Sequence, residues 1–300
     1  MAKKSSIKRS PSVISISFGI ILMIYSIIFI LALLWALLFS FVDYDNDIFF
    51  NIANNKSYLV LPSKISFQNI EKVYLVMVKT VPYGTGTRDV MLPEMFMNTL
   101  LYAFGSAFFN ALAPCMMGYI TAKFNFKFNR FIDTLVIITM ILPIVGALPA
   151  TIHIVSTLTL MDSIPGLWIM AFGFANVYYF VFKAAFKSVP SSLNESASID
   201  GAGNVRIFIQ IMLPLVKTIF LSVMTVMFVS AWNNYTTPLA FAPNKPTAAY
   251  GLFLLVQGTR TSDPTLKMTG AMILMVPILI LYAFLNKKLM GNLTMGSVKG

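Results

Sequence analysis

ESASIDGAG (Glu195–Gly203) interrupts a chain that is otherwise apolar enough to live in lipid. It sets an acid near each end of a run of small residues and closes on two glycines. Its wider setting is KSVPSSLNESASIDGAGNVRIFIQIMLPLVKT, Lys187–Thr218. Pro190 punctuates the apolar run before it, because proline lacks an N–H and clashes with a helical backbone. Ser192 and Glu195 have the S-x-x-E spacing of a capping box, which predicts a helix from about Ser192. Leu193 and Ala197 lie four apart and share a face. Gly201 and Gly203 end or turn that helix. A helix so short is unstable alone in water and needs a surface to lie on. Spacing alone leaves two readings of its acids. In the first, which spacing prefers, Glu195 caps its own helix and Asp200 faces water; in the second they meet a partner.

The surroundings decide what kind of chain carries this segment. Of 300 residues, 57% are hydrophobic and only 11% charged, and the mean hydropathy is +0.78. Soluble domains hold roughly 45–50% apolar and about 25% charged residues, so the composition points to a polytopic membrane protein. The net charge of +11 comes from short basic clusters between apolar runs, not from one basic face, which argues against nucleic acid. The single cysteine, Cys115, excludes an internal disulfide and reads as a packing residue.

Apolar runs of spanning length, about 20 residues, predict six transmembrane helices near Val13–Val42, Met95–Ala122, Leu135–Thr157, Ile164–Phe182, Thr218–Ala240 and Met268–Leu285. The expected organisation is a cytoplasmic segment 1–12, a first helix 13–42, an external loop 43–94, a five-helix core 95–290 containing the polar loop 188–214, and a cytoplasmic tail 291–300. The basic start MAKKSSIKRS resembles a signal n-region, but the following run is too long for a signal core and reads as a retained helix. With the N-terminus inside, 14 Lys and Arg fall inside and 8 outside, against 3 acids inside and 8 outside. The whole surplus of +11 then lies on one side, which predicts that both termini are cytoplasmic. The loop 43–94 is rich in turn residues and reads either as a small folded cap or docking surface or as a solvated connector.

Other signals are missing. No G-x-x-x-x-G-K-[ST], no H-E-x-x-H and no Cys/His cluster occurs, so neither ATP nor a metal is expected to bind this chain. The centres of the spans carry no Asp, Glu, Lys or Arg, and His153 reads as a hydrogen-bonded polar residue and not a proton relay. A membrane path with no energy source of its own must be driven from outside. Pro114, Pro143, Pro149 and Pro277 fall inside predicted spans, where each removes a backbone hydrogen bond and can bend its helix. Asn98, Asn110, Asn176, Asn233, Asn234 and Tyr235 are candidate path-lining groups, and Trp232 or Tyr235 a candidate sugar-stacking ring; interhelical packing is the commoner use of such residues.

The polar segment resembles the EAA loop of ABC-importer permeases: E-A-A, three residues, G, nine residues, I-x-L-P. Glu195, Ala197, Gly201, Ile211, Leu213 and Pro214 match in register, the run DGAG (Asp200–Gly203) adds to the match, and Ser196 departs from alanine but stays small. NTLLYA (Asn98–Ala103), AWNNY (Ala231–Tyr235), LPSKISFQNI in the external loop and the tail GNLTMGSVKG (Gly291–Gly300) resemble the maltose-type carbohydrate subfamily. The resemblance implies an all-α type I ABC importer permease, non-catalytic, in a prokaryotic cell membrane. It implies as partners a second permease, an ABC ATPase dimer holding ATP and Mg, and an extracellular or periplasmic solute-binding protein. It assigns ATPase coupling to Glu195, Ser196, Ala197, Asp200, Gly201 and Ala202, and a C-terminal ATPase contact to Gly296, Ser297 and Lys299. It leaves the substrate path unassigned, the second permease being expected to supply most sugar contacts. The alternatives are a same-superfamily permease for a peptide, amino acid or anion, and an integral membrane transferase. The transferase would need a cytoplasmic acidic cluster, for which only Asp133, Glu195 and Asp200 are available.

Overall fold

A computed structural model describes residues 13–43, 61–142, 146–258 and 263–296. Helix α1 (Val13–Phe39) carries 27 apolar or small residues with no charge. At ~1.5 Å per residue it is ~40 Å long, more than the ~30 Å hydrocarbon core. Next come a short helix α2 (Gln68–Val76) and an antiparallel hairpin, β1 (Lys79–Tyr83) with β2 (Gly86–Val90), in which Lys79 pairs with Val90 and Tyr83 with Gly86. Helix α3 (Leu92–Lys123) is followed by α4 (Asn129–Ile141), α5 (Ala147–Thr157), α6 (Ile164–Met170), α7 (Val177–Ser188) and α8 (Ser192–Ile199). Then come α9 (Asn204–Leu215), α10 (Lys217–Asn233), α11 (Thr236–Phe241), α12 (Ala248–Gln257) and α13 (Pro264–Gly296). The chain is mostly helical, with one hairpin in the loop read as external.

The fold divides into two units. The first holds the described residues up to Val73 together with Asp263–Ile273. Here Asn69 donates to the carbonyls of Ser40 and Val42 at 2.9 and 2.8 Å, and Thr269 donates to Ser40 at 2.9 Å. These bonds satisfy carbonyls at the end of α1 that have no partner within the helix. Phe39 and Val42 are buried there beside Trp35 and Met268. Most of α1 itself is exposed, with only 6% of its most apolar stretch covered.

The second unit, Tyr74–Arg260 with the chain from Leu274, is built round α3. That helix buries a stripe of small residues, among them Ala103, Ala107, Ala111 and Gly118, so neighbours approach closely. A Cβ on Gly105 would collide with Trp168 of α6, and one on Gly118 would lie 2.9 Å from Lys183 N and from Phe182 Cβ of α7. Both glycines are therefore contact points for crossing helices. Asn98 donates to the Pro246 carbonyl at 3.0 Å and Thr99 Oγ1 accepts from Ala248 N at 2.8 Å, fixing the start of α12. Asp162 holds the chain just before it, accepting from the Asn244 backbone N–H at 2.8 Å and side chain at 3.0 Å.

Among the described residues three helices are long and apolar enough to cross a membrane: α1, α3 and the first part of α13. Helices α9 and α10 pass the same test together but meet at 82°. The run 135–157 is two helices, α4 and α5, and the run 164–182 is α6 and the start of α7. The run 218–240 stops at Asn233 and resumes as α11. Asn234 explains that stop: its Oδ1 accepts from Thr237 N at 3.0 Å, a local turn bond that competes with helix continuation. Apolarity over ~20 residues does not reveal such breaks, nor does it find α12, which has only 10 residues. Pro149 lies in the first turn of α5, where a missing N–H leaves no bond unmade, so it does not bend that helix. Pro114 and Pro277 do sit inside helices, and Pro143 lies outside the described residues.

Candidate functional site

The polar segment folds as the short helix α8, starting where the S-x-x-E spacing places it. The capping box itself does not form, because no side chain caps this end. Instead Asn194 N and Glu195 N both donate to the Ser191 carbonyl, at 2.9 and 3.1 Å. The Glu195 carboxylate is therefore not spent on its own helix, and it is exposed.

The far end is closed by two crossed bonds. Gly201 N donates to Ser198 O at 3.1 Å and Ala202 N to Ala197 O at 3.0 Å. This is a Schellman closure with Gly201 as the left-handed residue. Its φ is +81°, a conformation that a side chain on an L-residue disfavours. Gly203 has an ordinary φ of −67° and makes no such demand.

One face of α8 is fixed to the bundle. Ala197 is buried in an aromatic cluster with Tyr119, Phe186, Ile207 and Phe208, and Ala202 packs against it. The Tyr119 ring lies 5.2–5.7 Å from the rings of Phe208, Phe186 and Phe124. Its hydroxyl donates to Asn194 Oδ1 at 3.0 Å, tying α8 directly to α3. Lys123, the last residue of α3, donates to the Val189 carbonyl just before α8.

The opposite face is open. Glu195, Ser196 and Asp200 are exposed, and so are Leu193 (42%), Ile199 (86%) and Val205 (73%). The i, i+4 pair is thus split, with Ala197 buried and Leu193 open. The segment combines exposed acids with uncovered aliphatic side chains.

A separate ionic cluster, which spacing gave no reason to connect, joins α3, α4 and α7. Asp133 Oδ1 accepts from Lys183 Nζ at 2.5 Å and from the Tyr179 hydroxyl at 2.7 Å, and the Tyr179 and Thr121 hydroxyl oxygens lie 2.9 Å apart. Burial pushes the Asp133 carboxyl up, but its bonds from Lys183 and Tyr179 outweigh this and hold it below the usual range. Burial pulls Lys183 down, and its bonds to Asp133 and Tyr179 outweigh that and raise it. The only sequence signal was polar residues at the ends of apolar runs on three helices.

Of the C-terminal residues expected to meet an ATPase, Gly296 ends α13, while Ser297 and Lys299 lie outside the described residues. Trp232 is buried in the core, 3% exposed, donating to Leu274 O at 3.2 Å, so it is no ring for stacking on a solute. Tyr235 stacks on Phe253 at 4.4 Å. Asn176 caps α7, and Asn233 bonds back to Val229 O. His153 is exposed and its side chain bonds to no described residue, contrary to the expectation of a hydrogen-bonded imidazole.

The chain matches known proteins as follows. Residues 115–290 match the family of binding-protein-dependent transport system inner membrane components. The arabinooligosaccharides transport system permease protein AraQ of Bacillus subtilis is 29% identical over 209 residues, covering 69% of this chain and 74% of that protein. The sn-glycerol-3-phosphate transport system permease protein UgpE of Yersinia pestis is 26% identical, covering 76% and 79%. The diacetylchitobiose uptake system permease protein NgcG of Streptomyces coelicolor is 23% identical, covering 93% and 87%. A chain from the crystal structure of a bacterial ABC transporter involved in the import of the acidic polysaccharide alginate has the same fold. Its TM-score is 0.69 at 18% identity, with 94% of this chain and 98% of that one covered.

Proposed function

Since the chain belongs to the family of binding-protein-dependent transport system inner membrane components, we propose that α8 couples it to a separate ATPase that drives import of a carbohydrate. The observation that carries this reading is the two-sided build of α8. Its back is fixed to α3 through Ala197 and the Tyr119–Asn194 bond, and its front offers Glu195 among uncovered aliphatic groups. A partner groove with a basic residue fits that front, because a charge-assisted pair fixes geometry as well as attraction. Closure of the ATPase dimer on ATP and Mg pushes α8, and α3 carries the push into the membrane. Glu195, Ser196, Ala197, Asp200, Gly201 and Ala202 form the coupling segment, and Gly296, Ser297 and Lys299 a second contact at the C-terminus.

The proposed path crosses the membrane six times, by α1, α3, the broken pairs α4–α5 and α6–α7, α10 and α13, with both termini cytoplasmic. A second permease completes the path, and a binding protein delivers the solute from outside. Carbohydrate is supported by the two relatives whose names specify saccharides, AraQ and NgcG. An anionic solute is the second reading, favoured by the similarity to UgpE. Affinity purification of the tagged chain from native membranes tests the assembly. Recovery with an ATPase, a second permease and ATP hydrolysis stimulated by a solute and its binding protein is expected; a chain recovered without any ATPase defeats the proposal.

A further inference from the structure

We infer that a polar cavity among α3, α6, α10 and α11 is a solute-binding site within this subunit, built for an uncharged, hydroxyl-rich solute. The inference rests on the importer reading above and narrows its substrate class. The cavity has a volume of ≈ 290 Å³, near the lower edge of ligand pockets at about 300 Å³. Its polar lining comes from two helical stripes. Tyr102, Ser106 and Asn110 follow one another at four-residue steps on α3; Ser230 of α10, Asn234 just past its end and Thr237 of α11 complete the set. No lysine, arginine, histidine or acid lines it.

The second, independent observation is that part of this polarity is left unspent: Tyr102 and Asn234 bond to Thr237, but the other three polar side chains do not. Ser106 is 3% exposed, and its hydroxyl has no hydrogen-bond partner among the described residues. An unpaired buried hydroxyl is unfavourable to folding, and buried polar groups in native proteins are normally satisfied. Nor do the side chains of Asn110 and Ser230 bond to any described residue, whereas Asn234 is held in place by its bond to Thr237 Oγ1 at 2.9 Å. Hydroxyl groups of a solute supply both donors and acceptors for such a set. A phosphate or carboxylate entering the same space loses its hydration and meets no cation, which disfavours it. Substrates that fill unpaired groups are discriminated strongly from analogues that cannot.

The test uses the importer assembled from this chain and its co-purifying subunits in proteoliposomes, with its binding protein present. ATP-driven uptake is measured for three labelled probes: arabinotriose, diacetylchitobiose and sn-glycerol-3-phosphate. Uptake of a neutral saccharide and exclusion of the phosphate are expected. Ser106→Ala and Asn110→Ala should each lower the saccharide rate about fivefold, one hydrogen bond's worth. The melting temperature of Ser106→Ala should not fall, because that variant deletes an unpaired buried hydroxyl. Wild-type uptake by both variants overturns the site and leaves the importer reading standing. Uptake of the phosphate alone overturns the substrate class. ATP-independent behaviour with all three probes overturns the importer reading, and this inference with it.

Discussion

At Glu195 the backbone N–H bonds inward to Ser191 while the carboxylate is left to solvent, so removing the side chain deletes a charge and little else. Glu195→Ala should therefore leave membrane insertion and melting temperature unchanged. It should reduce ATPase recovery or solute uptake at least tenfold, the effect of losing about 1.4 kcal/mol from a charge-assisted contact. Normal uptake with full subunit recovery would remove Glu195 from the coupling role. Asp133 behaves in the opposite way, because its carboxylate is spent inside the chain. Asp133→Asn strands the Lys183 ammonium, which is only 10% exposed, while Asp133 itself is 33% exposed. The expected loss of stability is about 1–2 kcal/mol once solvent screening is allowed for. The sign with pH follows from the lowered carboxyl and the raised ammonium. The carboxyl's contribution is present above its unfolded value of about 3.9 and lost as pH falls through the lower folded value. The ammonium's contribution is present below about 10.4 and lost as pH rises through its higher folded value. The melting-temperature gap between wild type and Asp133→Asn should thus be flat near pH 7 and narrow in acid; a gap that widens in acid refutes the pairing.

The elements differ in how much of them the sequence made legible. Helix α8 was readable because its start, its small buried residue and its terminating glycine follow local rules. Its anchoring was not, because the Tyr119–Asn194 bond joins residues 75 positions apart and no local pattern encodes it. The breaks at residue 142 and after Met170 were hidden for another reason: lipid or a packed core accepts apolar side chains whether or not the backbone is helical. The π-helical turn at Phe208–Met212 was also unseen. It lies just before Pro214, which has no N–H to donate to the preceding turn and whose ring crowds the carbonyl four residues back, and a wide turn relieves that conflict. For α8 the decisive test is its closing turn. Gly201→Val places a β-branched residue at φ +81°, a strain of at least about 1–2 kcal/mol, whereas Gly203→Ala meets no atom within 4 Å at an ordinary φ. Uptake should fall severalfold in the first variant and stay near normal in the second. Equal uptake in both would show that the turn tolerates a side chain.

For the whole molecule, orientation was carried by charge alone, and that is open to direct measurement. With the termini cytoplasmic, a cysteine at Lys3 or Lys299 should resist a membrane-impermeant thiol reagent added outside intact cells, and one at Thr85 in the hairpin should react. Protection at Thr85 together with labelling at Lys3 would invert the topology. Deleting residues 295–300 should lower solute-stimulated ATP hydrolysis without loss of the other subunits; full activity would leave the tail without a role. The contact points of the second unit share one helix. Tyr119, which holds α8, and Ser106, which lines the cavity, are 13 residues apart on α3, with Pro114 between them, a distance of ~20 Å along the one helix. Along the chain, the cavity's other wall, α10, follows α8 through α9 and the 82° corner at Val216. One wall is thus mounted on a strut and the other on an elbow. If α8 is pushed as proposed, the first wall receives the push along its own helix and the second receives it round a corner, so the expected result is a relative turn of the two walls.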